Sequence, residues 1–316
     1  MGVQQPDSLS RVVAVINGKG GCGKTSITAN IAGQLALAGY KVLAVDLDVS
    51  GNLKLDLGYV GDPLDDEGKG LLNAVWSDGE LTVIRSVRDN LDVIPGGRTL
   101  EMLASLSLTP MAEELPGGGV TAAFALKLAA HAQHYDLVVL DCAPGNPVLQ
   151  DMALAATRYV LIPSKTDAAG WEGLRMVGPR VKKARGNNPG LTYLGVVFFA
   201  HSTSATRVLK HSQQQLSELG DVIPILDCYV RHSETAAHDC RMRGQLAHEL
   251  ARDARKHNTE RVALLRRRGS GKHEQLPTQL SATADSLAGD YERLAREVLL
   301  RISAHERTIP ISQAGR

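Results

Sequence analysis

Residues 18–25 read Gly18, Lys19, Gly20, Gly21, Cys22, Gly23, Lys24 and Thr25, with Ser26 following. Glycines at this spacing let backbone N–H groups converge on phosphate oxygens, while Lys24 brings a cation to the β- and γ-phosphates and Thr25 a hydroxyl to magnesium. The stretch 18–26 is thus a phosphate-binding loop for a nucleoside triphosphate. Lys19 is the unusual member. It sits before the turn and cannot easily share the position of Lys24. It either contacts phosphate in cis or extends to a nucleotide held by a second subunit. The second arrangement implies a dimer closed around nucleotide and released when the γ-phosphate is hydrolysed.

Three acids belong to the same chemistry. Asp46 and Asp48 lie two apart in an extended segment, so both carboxylates turn toward one side. One is expected at the magnesium shell or the phosphate-loop turn, and Asp48, farther past its strand, is expected to position the attacking water. Asp141 follows a strand and is placed to orient magnesium-bound water. The expected metal residues are therefore Thr25, Asp46 and Asp141, and the expected catalytic residues Lys19, Lys24 and Asp48.

These side chains need a scaffold that brings strand ends together. Val12 to Ile16 form a continuous apolar run, as in a parallel strand covered on both faces. Ser26 to Ala38 has helical composition, with Ile27, Ile31 and Leu35 recurring every four residues. Strand, phosphate loop and helix thus follow in order. Further strands are expected at Lys41 to Val45, Leu91 to Ile94, Leu137 to Leu140, Tyr159 to Ile162, Thr192 to Phe199 and Val222 to Ile225. Helical stretches lie between most of them. The fold expected is a three-layer α/β P-loop NTPase with a mostly parallel central sheet flanked by helices. Its carboxyl rim gathers Lys24, Asp46, Asp48 and Asp141.

Composition sets the outer limits. The chain has 316 residues, 43 % of them hydrophobic and only 4 % aromatic, so its core is aliphatic. Residues 11–302 are expected to form one ATPase domain, preceded by a flexible leader at 1–10 and followed by a polar tail at 303–316. Lys and Arg total 35 against 34 Asp and Glu, so affinity for nucleic acid has to come from local clusters. One such region is 241–273, with ten Lys or Arg against three acids, read as a helix and loop projecting from the core. The four cysteines, Cys22, Cys142, Cys228 and Cys240, lack zinc-type pairing and suit a reducing cytoplasm. No apolar run reaches membrane-spanning length, and the proline-broken terminus does not read as a membrane helix.

The segment 19–25 resembles the deviant Walker A motif of the ParA/MinD class of ATPases. Asp46-Leu47-Asp48-Val49-Ser50-Gly51-Asn52 resembles the family's DxDPQGN box, and Asp141-Cys142-Ala143-Pro144-Gly145 its Walker B segment. Val230-Arg231-His232-Ser233-Glu234 is similar to a late N-V-R-x-S-E stretch. Asp290, Tyr291, Leu294, Ala295 and Glu297 fit the terminal helix. The matches span roughly residues 11 to 302, with ParA-type partition ATPases the nearest branch.

The resemblance implies ATP and Mg2+ as ligands and slow ATP hydrolysis stimulated by a partner and DNA. It implies an ATP-dependent homodimer crossed by Lys19, non-specific binding to double-stranded DNA on the nucleoid, and a ParB-like centromere-binding partner. DNA contacts are expected at Arg231, Arg241, Arg243, Arg266, Arg267 and Arg268, with Arg231 alternatively touching nucleotide. A MinD-like membrane-associated ATPase and a nucleotide-dependent scaffold for positioning protein cargo are the competing readings. Val49-Ser50 replaces Pro-Gln, Ala143 replaces a proline, and Phe198-Phe199-Ala200 stands where relatives place an asparagine near the base.

Overall fold

The structure is a computed structural model that describes residues 7–201, 223–268 and 280–308, except for the side chains of His201 and of residues 265–268. Eight strands form one sheet in the order β3-β4-β2-β5-β1-β6-β7-β8. These are β1 Val12–Val15, β2 Val42–Leu47, β3 Ile84–Arg88, β4 Leu91–Ile94, β5 Leu137–Cys142, β6 Tyr159–Ser164, β7 Thr192–His201 and β8 Ile225–Arg231. All neighbours are parallel except β3, which turns back antiparallel onto β4.

The helices are α1 Lys24–Leu37, α2 Leu53–Leu57, α3 Lys69–Trp76, α4 Leu100–Leu106, α5 Val120–Ala132, α6 Pro147–Ala155, α7 Ala168–Ala184, α8 Glu234–Arg243, α9 Ala247–Arg268 and α10 Ala284–Thr308. They make the outer two layers. Along β1, Val13 and Val15 face a core that includes Ile27, Ile31 and Leu35 of α1 and Leu287, Leu294 and Val298 of α10. Val12 and Ala14 face the opposite core, with Phe124 of α5, Leu149 and Met152 of α6, and Leu174 and Val177 of α7. Burial on both sides is why β1 reads as an uninterrupted aliphatic run.

Local signals fix several helix ends. Asn146 Oδ1 accepts the Leu149 N–H at 3.2 Å and Pro147 opens α6, while Asp167 Oδ1 accepts the Gly170 N–H at 2.8 Å to begin α7.

Four expectations change. The edge strand β3 was missed: its burial is mixed, so it lacks the apolar signature of the inner strands. β8 begins at Ile225 and runs on to Arg231, where the expected strand ended at Ile225. The basic region 241–273 is not one projection: Gly244, left-handed at φ 60°, ends α8, and Leu246, Ala247, Leu250, Ala251 and Ala254 at the start of α9 are core residues. Described residues of the expected leader and tail carry structure. Leu9 is fully buried, and α10 continues to Thr308, with Glu306 holding Arg11 at 2.7 Å.

Candidate active site

Strand register assembles the site. Val15 at the end of β1 lies opposite Asp141 of β5, and Asp141 in turn lies opposite Asp46 of β2. The phosphate loop leaves β1 at this level and enters α1 through Gly23. There φ is +84°, and a Cβ would come within 2.4 Å of the Phe199 ring. Glycine is required at that position for both reasons. Asn17 braces the loop's start, donating from Nδ2 to the Pro163 carbonyl at 2.7 Å and accepting the Lys19 N–H on Oδ1 at 2.9 Å.

A cleft of about 880 Å³ opens above this loop. Its floor is formed by Gly20, Gly21, Gly23, Lys24, Thr25 and Ser26, one side by Asp48, Val49, Ser50 and Asn52, and the far wall by Phe199, Ala200, Val230, Arg231 and His232. Lys24 is almost fully buried, and its ammonium donates to the Lys19 carbonyl at 3.0 Å. Cys22 points its thiol at the same carbonyl. Burial pushes that thiol's pKa up, which keeps it protonated beside the lysine.

The acids divide their work. Asp46 is fully buried and spends both carboxylate oxygens on backbone N–H groups, Asp48 at 3.0 Å and Leu53 at 3.2 Å. In this way it ties down the loop that carries Asp48. Asp48 in turn accepts the Ser50 N–H at 2.9 Å and lines the cleft. Asp141 is fully buried, yet neither carboxylate oxygen has a hydrogen-bond partner. Burial, then the charge of Asp46, drive its pKa well up, opposed by the nearby Thr25 hydroxyl and by Lys24. A buried acid with two unused oxygens beside a threonine hydroxyl fits a divalent cation, which would satisfy oxygens that the protein leaves unpaired.

Lys19 stands apart from this floor. Its ammonium lies 3.0 Å from Glu172 on α7, and the pair is solvent-facing. The expected DNA arginines scatter. Arg231 is clamped by the buried Asp290 of α10, through Nε at 2.6 Å and Nη2 at 2.9 Å, so it belongs to the cleft wall rather than an outer face. Arg241 pairs with Asp56 of α2 at 3.0 Å, and Ser26 reaches the other oxygen of Asp56 at 3.3 Å. Arg243 is exposed. The side chains of Arg266, Arg267 and Arg268 lie outside the described residues, as do Arg207, Lys210 and Lys272.

Asn17, Asp56 and Glu172 escaped the sequence reading, because each acts through a partner remote in sequence. In the sequence Asp290 signals only a fit to the terminal helix, whereas in the fold it clamps Arg231. Phe199, a departure from the resemblance near the base, packs over Gly23 and lines the cleft.

The family model of an AAA domain matches residues 10–192, the half of the chain that carries the loop and both acidic strand ends. Over 239 residues the chain is 30 % identical to the chromosome-partitioning ATPase Soj of Treponema pallidum, covering 73 % of this chain and 88 % of that protein. It belongs to the ParA/MinD family of deviant Walker A ATPases. Soj of Thermus thermophilus is 32 % identical over 188 residues, 59 % of this chain and 68 % of that one. The McdA(D38A)–ATP complex of Cyanothece superposes with a TM-score of 0.64 at 18 % identity, covering 94 % of this chain and 97 % of that one. This ParA/MinD-family protein is an ATP hydrolase that uses ATP and Mg2+. Among the described residues no helix is long and apolar enough to cross a membrane.

Proposed function

We propose that the protein is a ParA-type partition ATPase that dimerises on ATP, binds DNA without sequence preference and moves a DNA cargo together with a ParB-like partner. In this reading Lys24 and the N–H groups of residues 20–25 hold the phosphates, and Thr25 and Asp141 hold magnesium. Bound magnesium contributes charge neutralisation at the β- and γ-phosphates. Asp48 orients the attacking water from the cleft wall. Lys19 crosses to the phosphates of the second copy.

The observation that carries the reading is the separation of the two lysines. The Lys24 ammonium is buried under the loop, whereas Lys19 is half-exposed outside the cleft and held to Glu172 by a solvent-facing ion pair worth little in water. A lysine so placed is accessible to another protomer. The naming of the Treponema and Thermus relatives as chromosome-partitioning ATPases supports DNA as the track. The exposed Arg243 and Lys256, with the basic run 266–268, supply candidate phosphate contacts.

Asp48→Ala protein held in ATP should bind unrelated duplexes with equal affinity, and that affinity should fall linearly on a log–log plot against salt. Absence of ATP-dependent binding would refute the DNA reading.

A further inference from the structure

We infer that Lys165 is a further nucleotide contact, a cation that meets the terminal phosphate of bound ATP and sets the preference for the triphosphate over the diphosphate. It lies outside the phosphate loop and the acidic strand ends, in the turn between β6 and α7. Four Lys or Arg side chains line the cleft: Lys24, Lys165, Arg231 and Arg241. Three of them are already engaged. Arg231 is clamped by Asp290, Arg241 is paired with Asp56, and Lys24 donates to a carbonyl of the loop itself. Among the described residues, the ammonium of the half-buried Lys165 has neither an acid partner nor a hydrogen bond.

Strand order decides which flank of the nucleotide it serves. β1 delivers the phosphate loop, with β5 on one side and β6 on the other. Val15 is opposite Asp141 on the first and opposite Leu161 on the second. Asp141 and Lys165 therefore bracket the loop. Magnesium at Thr25 and Asp141 neutralises phosphate charge from one flank. Lys165 is the cation available from the other. A third phosphoryl group brings further negative charge into a cleft that already carries Asp48, and an unpaired ammonium compensates that charge as arginines bound to their own acids cannot.

The backbone that carries this lysine is held in place. Its carbonyl accepts the hydroxyl of the fully buried Ser164 at 2.9 Å, and a Cβ at Gly170 would collide with that same carbonyl. Two residues on, Asp167 caps α7. A lysine on a fixed anchor gives up only its own side-chain freedom when it engages an anion. Lys165 in this role depends on the phosphate assignments proposed above, and on neither the dimer nor the DNA reading.

The test is calorimetry on the full-length Asp48→Ala protein, titrated with ATP and with ADP in the presence of Mg2+. Adding Lys165→Met should weaken ATP binding at least about tenfold and leave ADP within about twofold, as loss of one charge-assisted contact to the terminal phosphate requires. Lys165→Arg should keep most of the ATP affinity. The same selective loss should appear when Lys165→Met is placed in the Lys19→Ala/Asp48→Ala protein. Equal loss for both nucleotides, or no loss for either, would overturn the assignment. A loss confined to protein with Lys19 intact would put the ammonium on the nucleotide of a second copy and overturn its action within one protomer. Failure of the Asp48→Ala parent to bind either nucleotide would overturn the phosphate assignments and Lys165 with them, whereas nucleotide binding indifferent to Lys165 overturns its role alone.

Discussion

Arg241 of α8 and Asp56 of α2, both in the cleft lining, form an ion pair at 3.0 Å, with the carboxylate almost fully buried and Ser26 of the phosphate loop on its second oxygen. The pair joins three parts of the site: the helix after the Asp48 loop, the start of α1, and the arginine-bearing helix that the sequence had assigned to DNA. Burial raises the Asp56 pKa despite the guanidinium, so the acid needs its partner to remain charged at little cost. Arg241→Ala should therefore lower stability by about 1–3 kcal/mol by stranding a buried acceptor. Arg241→Ala with Asp56→Asn should recover part of that loss. Chemical denaturation of the two proteins checks this. A single variant as stable as the parent would show that the pair is only a surface contact.

Gly23 gives a sharper test of the loop. Gly23→Ala places a methyl group into the Phe199 ring at a left-handed φ, and two independent penalties result. Nucleotide affinity measured by calorimetry should fall steeply. Adding Phe199→Ala should restore only part of it, because the backbone penalty of about 1–2 kcal/mol remains. Full restoration would assign the whole effect to the ring.

Acid sensitivity should trace to the Arg88–Glu249 pair, which fastens β3 to α9. Arg88 Nε and Nη2 each meet a Glu249 oxygen at 2.9 Å, and Nη2 also reaches the Gly244 carbonyl at 2.9 Å. Burial alone would raise Glu249, but the hydrogen bonds from Arg88 and the Leu246 N–H outweigh it and hold the carboxyl below its ordinary value. A depressed folded pKa contributes stability that is present above the unfolded value and lost as pH falls through the folded one. Melting temperature should thus decline as pH falls below the ordinary glutamate value of about 4.3. Arg88→Met should flatten or reverse this carboxylate's share of the decline, since burial, opposed then mainly by the Leu246 N–H, no longer lets the folded state favour the charged form. An unshifted acid limb would place the critical carboxylates elsewhere.

Much of the site was legible because its chemistry is local. The order of strand, phosphate loop and helix is contiguous, and the acids at 46, 48 and 141 each end a strand that its aliphatic run announces. What escaped was carried by long-range pairs. No periodicity signals that Arg231 will be clamped by Asp290, or that Arg241 will meet Asp56. Family position placed Arg231 and Arg241 among the expected DNA contacts, and neither pairing with a buried acid is visible in the sequence. Asp46 shows the same limit. Two acids in an extended segment look equivalent, and only the fold of the 48–53 loop turns one carboxylate onto backbone amides. β3 was invisible because an exposed antiparallel edge needs no apolar run.

The account rests on Lys19 acting across a nucleotide-bound dimer. Light scattering of Asp48→Ala protein with and without ATP and Mg2+, beside the Lys19→Ala/Asp48→Ala double variant, tests this most directly. The single variant should double its mass on addition of ATP, and the double variant should bind ATP yet stay monomeric. A double variant that dimerises as fully as the single one would contradict the account.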